Sequence, residues 1–281
     1  MRLFVDNLIN IDFSYLHPVR GLLGETWLAS VELQGKLDEQ GMVCDFGVVK
    51  KRIRDWLNTE LDHRLLVPGK AQNLTLKSEN GSHEVLWKFG QTQEKHLACT
   101  SPEQAITLIE AEEITLESVA QWCQSVLLPQ FPESIESFSI QFICEAIDTP
   151  FYHYSHGLKK HAGNCQRIAH GHRSKIEIWR NDILSTDDMQ EWAKTFEDIY
   201  IATKEDLVAE KESHFAFEYQ AEQGNFSLEI PKDTCYLIDT DSTVEYIAQH
   251  IASKIKTNAP GETITVKAYE GLGKGAIISL K

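Results

Sequence analysis

The stretch Tyr154-Ser155-His156-Gly157-Leu158-Lys159-Lys160-His161-Ala162-Gly163-Asn164-Cys165-Gln166-Arg167-Ile168-Ala169-His170-Gly171-His172 carries the densest set of reactive side chains in the 281-residue chain. His170 and His172 stand two apart at the start of an alternating segment, so a strand there turns both imidazoles to one face. His156 falls on the expected hairpin partner and can complete a three-imidazole set. Three histidines with an open fourth position are the ligand arrangement of a catalytic zinc ion, which polarises a substrate oxygen. Cys165 sits on the connecting loop. A thiol near a dication and near Lys159, Lys160 and Arg167 would have its pKa lowered and could act as a base. Cys165 as a fourth ligand would instead close the site as a structural Cys/His3 zinc. His161, on the loop, is the poorer substitute ligand. A lone His-x-His is often two surface histidines on a strand; the third His, the intervening Gly and the Cys argue against that reading here.

Other reactive residues have plainer readings. Asp62-His63 ends an expected helix, where His is favourable against the dipole. Glu145 and Glu270 each end a strand, where a lone Glu is usually solvated. Ser242-x-x-Glu245 before an apolar helix reads as a capping box, so Glu245 stays outside the site. Gly271-Leu272-Gly273-Lys274-Gly275 is too short for a dinucleotide fingerprint and reads as a turn.

The elements that must position these residues recur. The Glu-x-x-Ala-Gln core of Leu116–Gln121 returns in Val244–Gln249. Alternating segments ending in Glu145 and Glu270 follow each copy. Phe13-Ser14-Tyr15-Leu16-His17 echoes Tyr152-His153-Tyr154-Ser155-His156, and Glu25–Leu33 echoes His172–Trp179. The four matches keep one order at offsets between 125 and 147 residues, which indicates a duplication. Strands near 2–16 and 26–34 alternate as a half-buried antiparallel hairpin. Val48, Val49, Ile53, Trp56, Leu57 and Leu61 stripe a helix over 48–61, and further helices are expected over 115–127 and 243–256. Residues 69–107 and 181–236 mix short strands with turns, and 181–213 reads as an acidic, helix-rich insert. The junction is expected near Asp148-Thr149-Pro150, giving units 1–148 and 149–281. The class is α+β, with antiparallel sheets and two helices over one face of each copy.

Lys+Arg 27 against Asp+Glu 42 gives a net charge of −15. No field exists to recruit nucleic acid or an anionic membrane, so neither is expected as a partner. Asp6 interrupts the apolar run too early for a secretory signal, and no stretch reaches about 18 uncharged apolar residues. The six cysteines lack a framework spacing and read as reduced thiols, so a cytoplasmic setting is expected.

With these motifs in hand, the chain resembles the 6-pyruvoyl- and 6-carboxy-tetrahydropterin synthases, which are tunnelling-fold (T-fold) proteins. His156…Cys165…His170-Gly171-His172 resembles the zinc and nucleophile motif. Gly41-Met42-Val43-Cys44-Asp45-Phe46-Gly47…Lys50 resembles the helix-entry motif. Leu61-Asp62-His63-Arg64-Leu65 resembles the segment that carries the Asp/His pair of the catalytic triad. The two Thr-x-Glu motifs and the terminal Glu strands resemble family elements in both copies. The resemblance covers nearly the whole chain as two fused, diverged units. It implies zinc on His156, His170 and His172, a catalytic Cys165 with Asp62 and His63, and a pterin gripped by Glu270 or Glu145.

The copies depart from the pattern in complementary ways. The first has Leu23-Gly24-Glu25 in place of His-Gly-His and keeps only His17, so no metal is expected there. The second lacks the Leu-Asp-His segment. Because family sites lie between neighbouring subunits, one composite site per pair of copies is expected. The implied activity is a zinc-dependent lyase on 7,8-dihydroneopterin triphosphate, making 6-carboxy-tetrahydropterin on the route to queuosine. The alternative product is the 6-pyruvoyl compound, since the spacing from Cys165 to His170 lies between those of the two types. A rival of another class is a non-catalytic, zinc-stabilised assembly protein. The triphosphate would be met by Lys159, Lys160 and Arg167. Two fused units do not close a barrel, so a homo-oligomeric barrel is expected.

Overall fold

A computed structural model describes all residues 1–281. The first copy runs β1 (Arg2–His17), β2 (Gly21–Gly35), α1 (Phe46–Glu60), β3 (Leu65–Pro68), β4 (Leu74–Glu79), β5 (Ser82–Phe89), β6 (Lys95–Pro102), β7 (Ile106–Ile109), α2 (Leu116–Leu127) and β8 (Ile135–Cys144). The second runs β9 (Phe151–His156), β10 (His170–Arg180), β11 (Ile183–Leu184), α3 (Thr186–Thr195), β12 (Ile199–Thr203), β13 (Leu207–Glu210), β14 (His214–Ala221), β15 (Gly224–Pro231), β16 (Cys235–Ile238), α4 (Val244–Asn258), β17 (Ile264–Tyr269) and β18 (Gly275–Leu280). Apart from the short β11 and the added β18, the second list repeats the first. Residues 181–213 are therefore not a helix-rich insert. They hold one ten-residue helix, the counterpart of α1, the short β11, and two short strands of the repeating unit. The acidic first turn, Asp187 and Asp188, suits a helix N-terminus and made the segment look more helical than it is.

The helices form where caps and apolar spacing agree. Asp45 accepts from the Val48 amide at the start of α1, and Val49, Ile53 and Leu57 bury one stripe against the sheet. Removing a side chain such as Ile53, which is fully buried, costs roughly 2–5 kcal/mol when cut to Ala. Thr115 caps α2 reciprocally with Ser118. Thr243 caps α4, which frees Ser242 from the capping role expected of it.

Each copy builds a sheet around its hairpin, ordered β7-β3-β1-β2-β8 in the first and β16-β12-β9-β10-β17-β18 in the second. The hairpins are antiparallel, whereas β3 and β7, and likewise β12 and β16, join in parallel. A third sheet, β13-β14-β15-β6-β5-β4, crosses between copies at Leu228↔Cys99. Beneath it lies a core drawn from both copies, including Leu22, Leu65, Trp87, Ile168, Tyr200 and Phe217. The other two cores belong to single copies.

The hairpins meet back to back. Ser14 and Ser155, which pair with Gly24 and Gly171 in their own hairpins, share a 2.7 Å hydroxyl contact. A Cβ on Gly24 would stand 1.8 Å from the Tyr154 carbonyl oxygen, so only glycine permits this approach. Two equivalent serines in mutual contact mark a local twofold relation between the copies. No helix is long and apolar enough to cross a membrane.

Candidate active site

Strand register places the three histidines. His170 stands opposite His156, and His172 lies two residues on, opposite Tyr154. All three side chains are buried, and their ligand atoms lie within 4.8 Å of one another. The Nδ1 atoms of His156 and His170 each meet a carbonyl acceptor. His156 Nδ1 is 2.8 Å from the Ser242 carbonyl oxygen and 3.1 Å from its Oγ. His170 Nδ1 is 2.8 Å from the Arg167 carbonyl oxygen. His172 Nδ1 is 3.2 Å from Asp12 Oδ1, off-axis for a full hydrogen bond. A carbonyl can only accept, so the Nδ1 of His156 and of His170 carries the proton and Nε2 presents a lone pair.

Burial, and next the neighbouring imidazoles, hold His156 and His170 well below the ordinary histidine pKa, so both are neutral. The Nε2 atoms of His156 and His172 face each other at 3.3 Å. The lone pairs of His156 and His170 Nε2 are gathered with the His172 ring into one buried cluster, so the donor set fits a metal ion with nitrogen ligands.

The first copy closes the other side. After α1 the chain turns through His63 at φ +54°. The His63 amide donates to the Asp12 carbonyl oxygen at 2.6 Å, and Asp62 Oδ1 accepts from the Asp12 amide at 2.9 Å. His63 Nδ1 is 2.6 Å from Asp62 Oδ2, and its ring centroid is 5.1 Å from that of His170. Burial opposes a charge on His63, but the Asp62 carboxylate and Cys165 outweigh it and raise its pKa to about 10. Cys165 forms a cluster with His63 and His170, and that cluster does not include His156 or His172. Arg167, buried, donates to the Asp62 and His63 carbonyls at 3.4 and 3.3 Å.

The two glutamates separate. Glu270 Oε1 is 3.8 Å from His172 Nε2, whereas Glu145 pairs with Lys175 at 3.0 Å away from the cluster. The Gly271–Gly275 segment is the expected turn, closed by the Glu270 amide donating to the Lys274 carbonyl. Lys159 and Lys160 do not face the histidines. Lys159 pairs with Asp206 and Glu205, and Lys160 with Glu205 and Asp241. Only Arg167 of the expected basic patch stands at the site, because acidic side chains from a distant loop draw the lysines outward. His161 is exposed and bonds to its own loop. His17 does not occupy the place of His156. Register puts Tyr15 there, opposite Leu23, and His17 caps the β1–β2 turn by accepting from Val19 and Arg20.

Four contributors escaped sequence reasoning: Asp12, Thr26, Ser242 and Lys274. Ser242 carried a cap-like signal that pointed elsewhere. The others carried none.

Two tandem copies of one unit, with a three-histidine cluster near their junction, define a duplicated T-fold. The family model for 6-pyruvoyl tetrahydropterin synthase matches residues 12–146 and again 147–280, and the chain belongs to that family. A Pyrococcus abyssi protein described as "Putative 6-carboxy-5,6,7,8-tetrahydropterin synthase" is 24% identical over 131 residues, 47% of this chain and 73% of the relative. One of the same description from Pyrococcus horikoshii is 24% identical over 115 residues, 40% of this chain and 61% of the relative. The crystal structure of 6-pyruvoyl tetrahydropterin synthase from Plasmodium vivax aligns at 16% identity and TM-score 0.39, over 52% of this chain and 98% of that one.

Proposed function

We propose that the chain is a zinc-dependent lyase acting on 7,8-dihydroneopterin triphosphate, of the 6-carboxy-tetrahydropterin synthase kind, in the pathway to queuosine. The observation that carries the reading is the convergence of the first copy's Asp62–His63 pair with the second copy's Cys165 and three histidines inside one chain.

His156, His170 and His172 would hold the zinc, which when bound polarises side-chain oxygens of the substrate. Cys165, placed against His63 and His170 and apart from the other two ligands, is suited to moving a proton at a substrate carbon. His63 holds its proton at neutral pH and is kept in one orientation by Asp62, so it is suited to donate. Glu270 would accept from the amino-pyrimidine edge of the pterin, a two-point contact that suits a carboxylate. Of the expected basic patch, Arg167 is the member that stands at the site and would meet the triphosphate. The edges at β8 and β18 support assembly into a homo-oligomeric barrel.

The test is incubation of the zinc-loaded protein with 7,8-dihydroneopterin triphosphate and identification of products by mass. The expected products are 6-carboxy-tetrahydropterin, acetaldehyde and triphosphate. A 6-pyruvoyl product would replace the named activity within the family. No turnover, together with a Cys165 thiol unreactive and locked to metal, would overturn the enzyme reading in favour of a zinc-stabilised assembly protein.

A further inference from the structure

Asp12 lies in β1 of the first copy, far in sequence from every proposed ligand, and is almost fully buried. Its backbone brackets the Asp62–His63 pair: its amide donates to Asp62 Oδ1 and its carbonyl accepts from the His63 amide. Its side chain reaches the other way, with Oδ1 3.2 Å from His172 Nδ1. Two further groups hold that carboxylate in place. Thr26 Oγ1 donates to Oδ1 at 2.6 Å, and Lys274 Nζ stands 3.0 Å from Oδ2. The turn at Gly271 lies close against that carboxylate, since a Cβ there would stand 2.4 Å from Asp12 Oδ1, so the position takes only glycine. Metal-bound histidines depend on such a partner at the other ring nitrogen, which sets the tautomer and the ring orientation. His156 and His170 receive theirs from backbone carbonyls of their own copy, and only His172 depends on a side chain from the other copy.

We propose that Asp12 is a positioning residue that locks His172 toward the metal and, through the same residue's backbone, holds the Asp62–His63 pair against it. The first copy would then have lost its own ligands but kept control of the second copy's site. This rests on the three-histidine reading of the metal site.

The test is titration of the full-length apo-protein with Co(II) and with Zn(II), reading visible absorption of the cobalt form and affinity by chelator competition. The native chain is expected to take one metal per chain. Asp12→Asn is expected to weaken affinity about 10–100-fold and to alter the cobalt absorption bands. Thr26→Val, which removes the hydroxyl that steadies Asp12 and also accepts from the Arg173 amide at 3.3 Å, is expected to weaken it a few-fold in the same direction. If Asp12→Asn does not fold, Thr26→Val decides. Native-like affinity and spectrum in the folded variants would overturn the role of Asp12. Failure of the native chain to bind metal would overturn the ligand reading itself, and this inference with it.

Discussion

The local twofold relation gives each site residue a counterpart across the pair of copies, and the two sets can be compared position by position. With Ser14 matched to Ser155, His156, His170 and His172 correspond to Tyr15, Leu23 and Glu25. The parallel pairings Ser14↔Leu65 and Ser155↔Tyr200 match His63 to Asp198, and both adopt positive φ. Asp12 corresponds to His153. The contact Asp12–His172 thus reappears with its chemistry exchanged, as His153 Nδ1 3.8 Å from Glu25 Oε2. Arg20, the counterpart of Arg167, pairs with the Asp198 carboxylate, whereas Arg167 meets the Asp62 and His63 backbone carbonyls and the Gln223 side chain. One backbone therefore supports two sites. One has three imidazoles converging; the other has Arg20 paired with Asp198 and no ligand set. The backbone offers a site, and side-chain chemistry decides whether it is used.

The largest expected effect tests the contact that both sites share. Gly24→Ala would drive a methyl group into the Tyr154 carbonyl and the His172 amide. Neither backbone group can yield, so a loss of about 3 kcal/mol or more in stability is expected, seen as a collapse of the unfolding midpoint. A native-like midpoint would mean that the copies are not packed this closely.

Next comes the pair that distinguishes the used site. Replacing Asp62 and His63 with Ala is expected to lower turnover about 10²–10⁴-fold while metal content holds. The matched replacement of Glu197 and Asp198 should leave turnover within a few-fold. Equal losses in both would remove the asymmetry. Glu270→Gln should lower kcat/KM about 100-fold, and Glu145→Gln only a few-fold, since a site built to hydrogen-bond a substrate loses most when one partner changes. The reverse ranking would move the pterin to the other copy.

A smaller effect probes the blank site. Burial raises the Glu25 carboxyl to about 7 from its ordinary 4.5. Between those values the folded chain binds more protons than the unfolded one, so stability falls as pH rises through them. Glu25→Gln cannot ionise and is expected to stabilise the chain by about 1–3 kcal/mol at pH 8, and by little at pH 4, in urea unfolding. Equal effects at both pH values would place an ordinary carboxyl there. The smallest change in turnover is expected for Lys159→Met. It strands the buried Asp206 carboxylate, so stability should fall by about 1–3 kcal/mol, but KM for the triphosphate should not move. A large rise in KM would return Lys159 to the substrate.

Local pattern was enough for much of this. The two-residue spacing of His170 and His172 dictates one face of a strand, and hairpin pairing adds His156. Apolar spacing placed α1, α2 and α4 within a few residues, and the shared motifs exposed the duplication and the complementary losses. In 181–213 local reading failed, because an acidic helix start resembles a longer helical segment when the strands around it are short.

What the sequence alone determined was which residues were able to do chemistry and on which elements they lay, because periodicity and short spacing are set by backbone geometry. The tertiary structure decided which of them meet. It seated Tyr15 rather than His17 opposite the degenerate strand, gave Ser242 to His156, chose Glu270 over Glu145, turned Lys159 and Lys160 away, and brought Asp12 to His172. Apart from the hairpin register that seats Tyr15, each of these contacts joins residues tens of positions apart in the chain. Most form as the second copy folds on itself, and Asp12–His172 needs the packing of one copy against the other, so no short stretch of sequence records them.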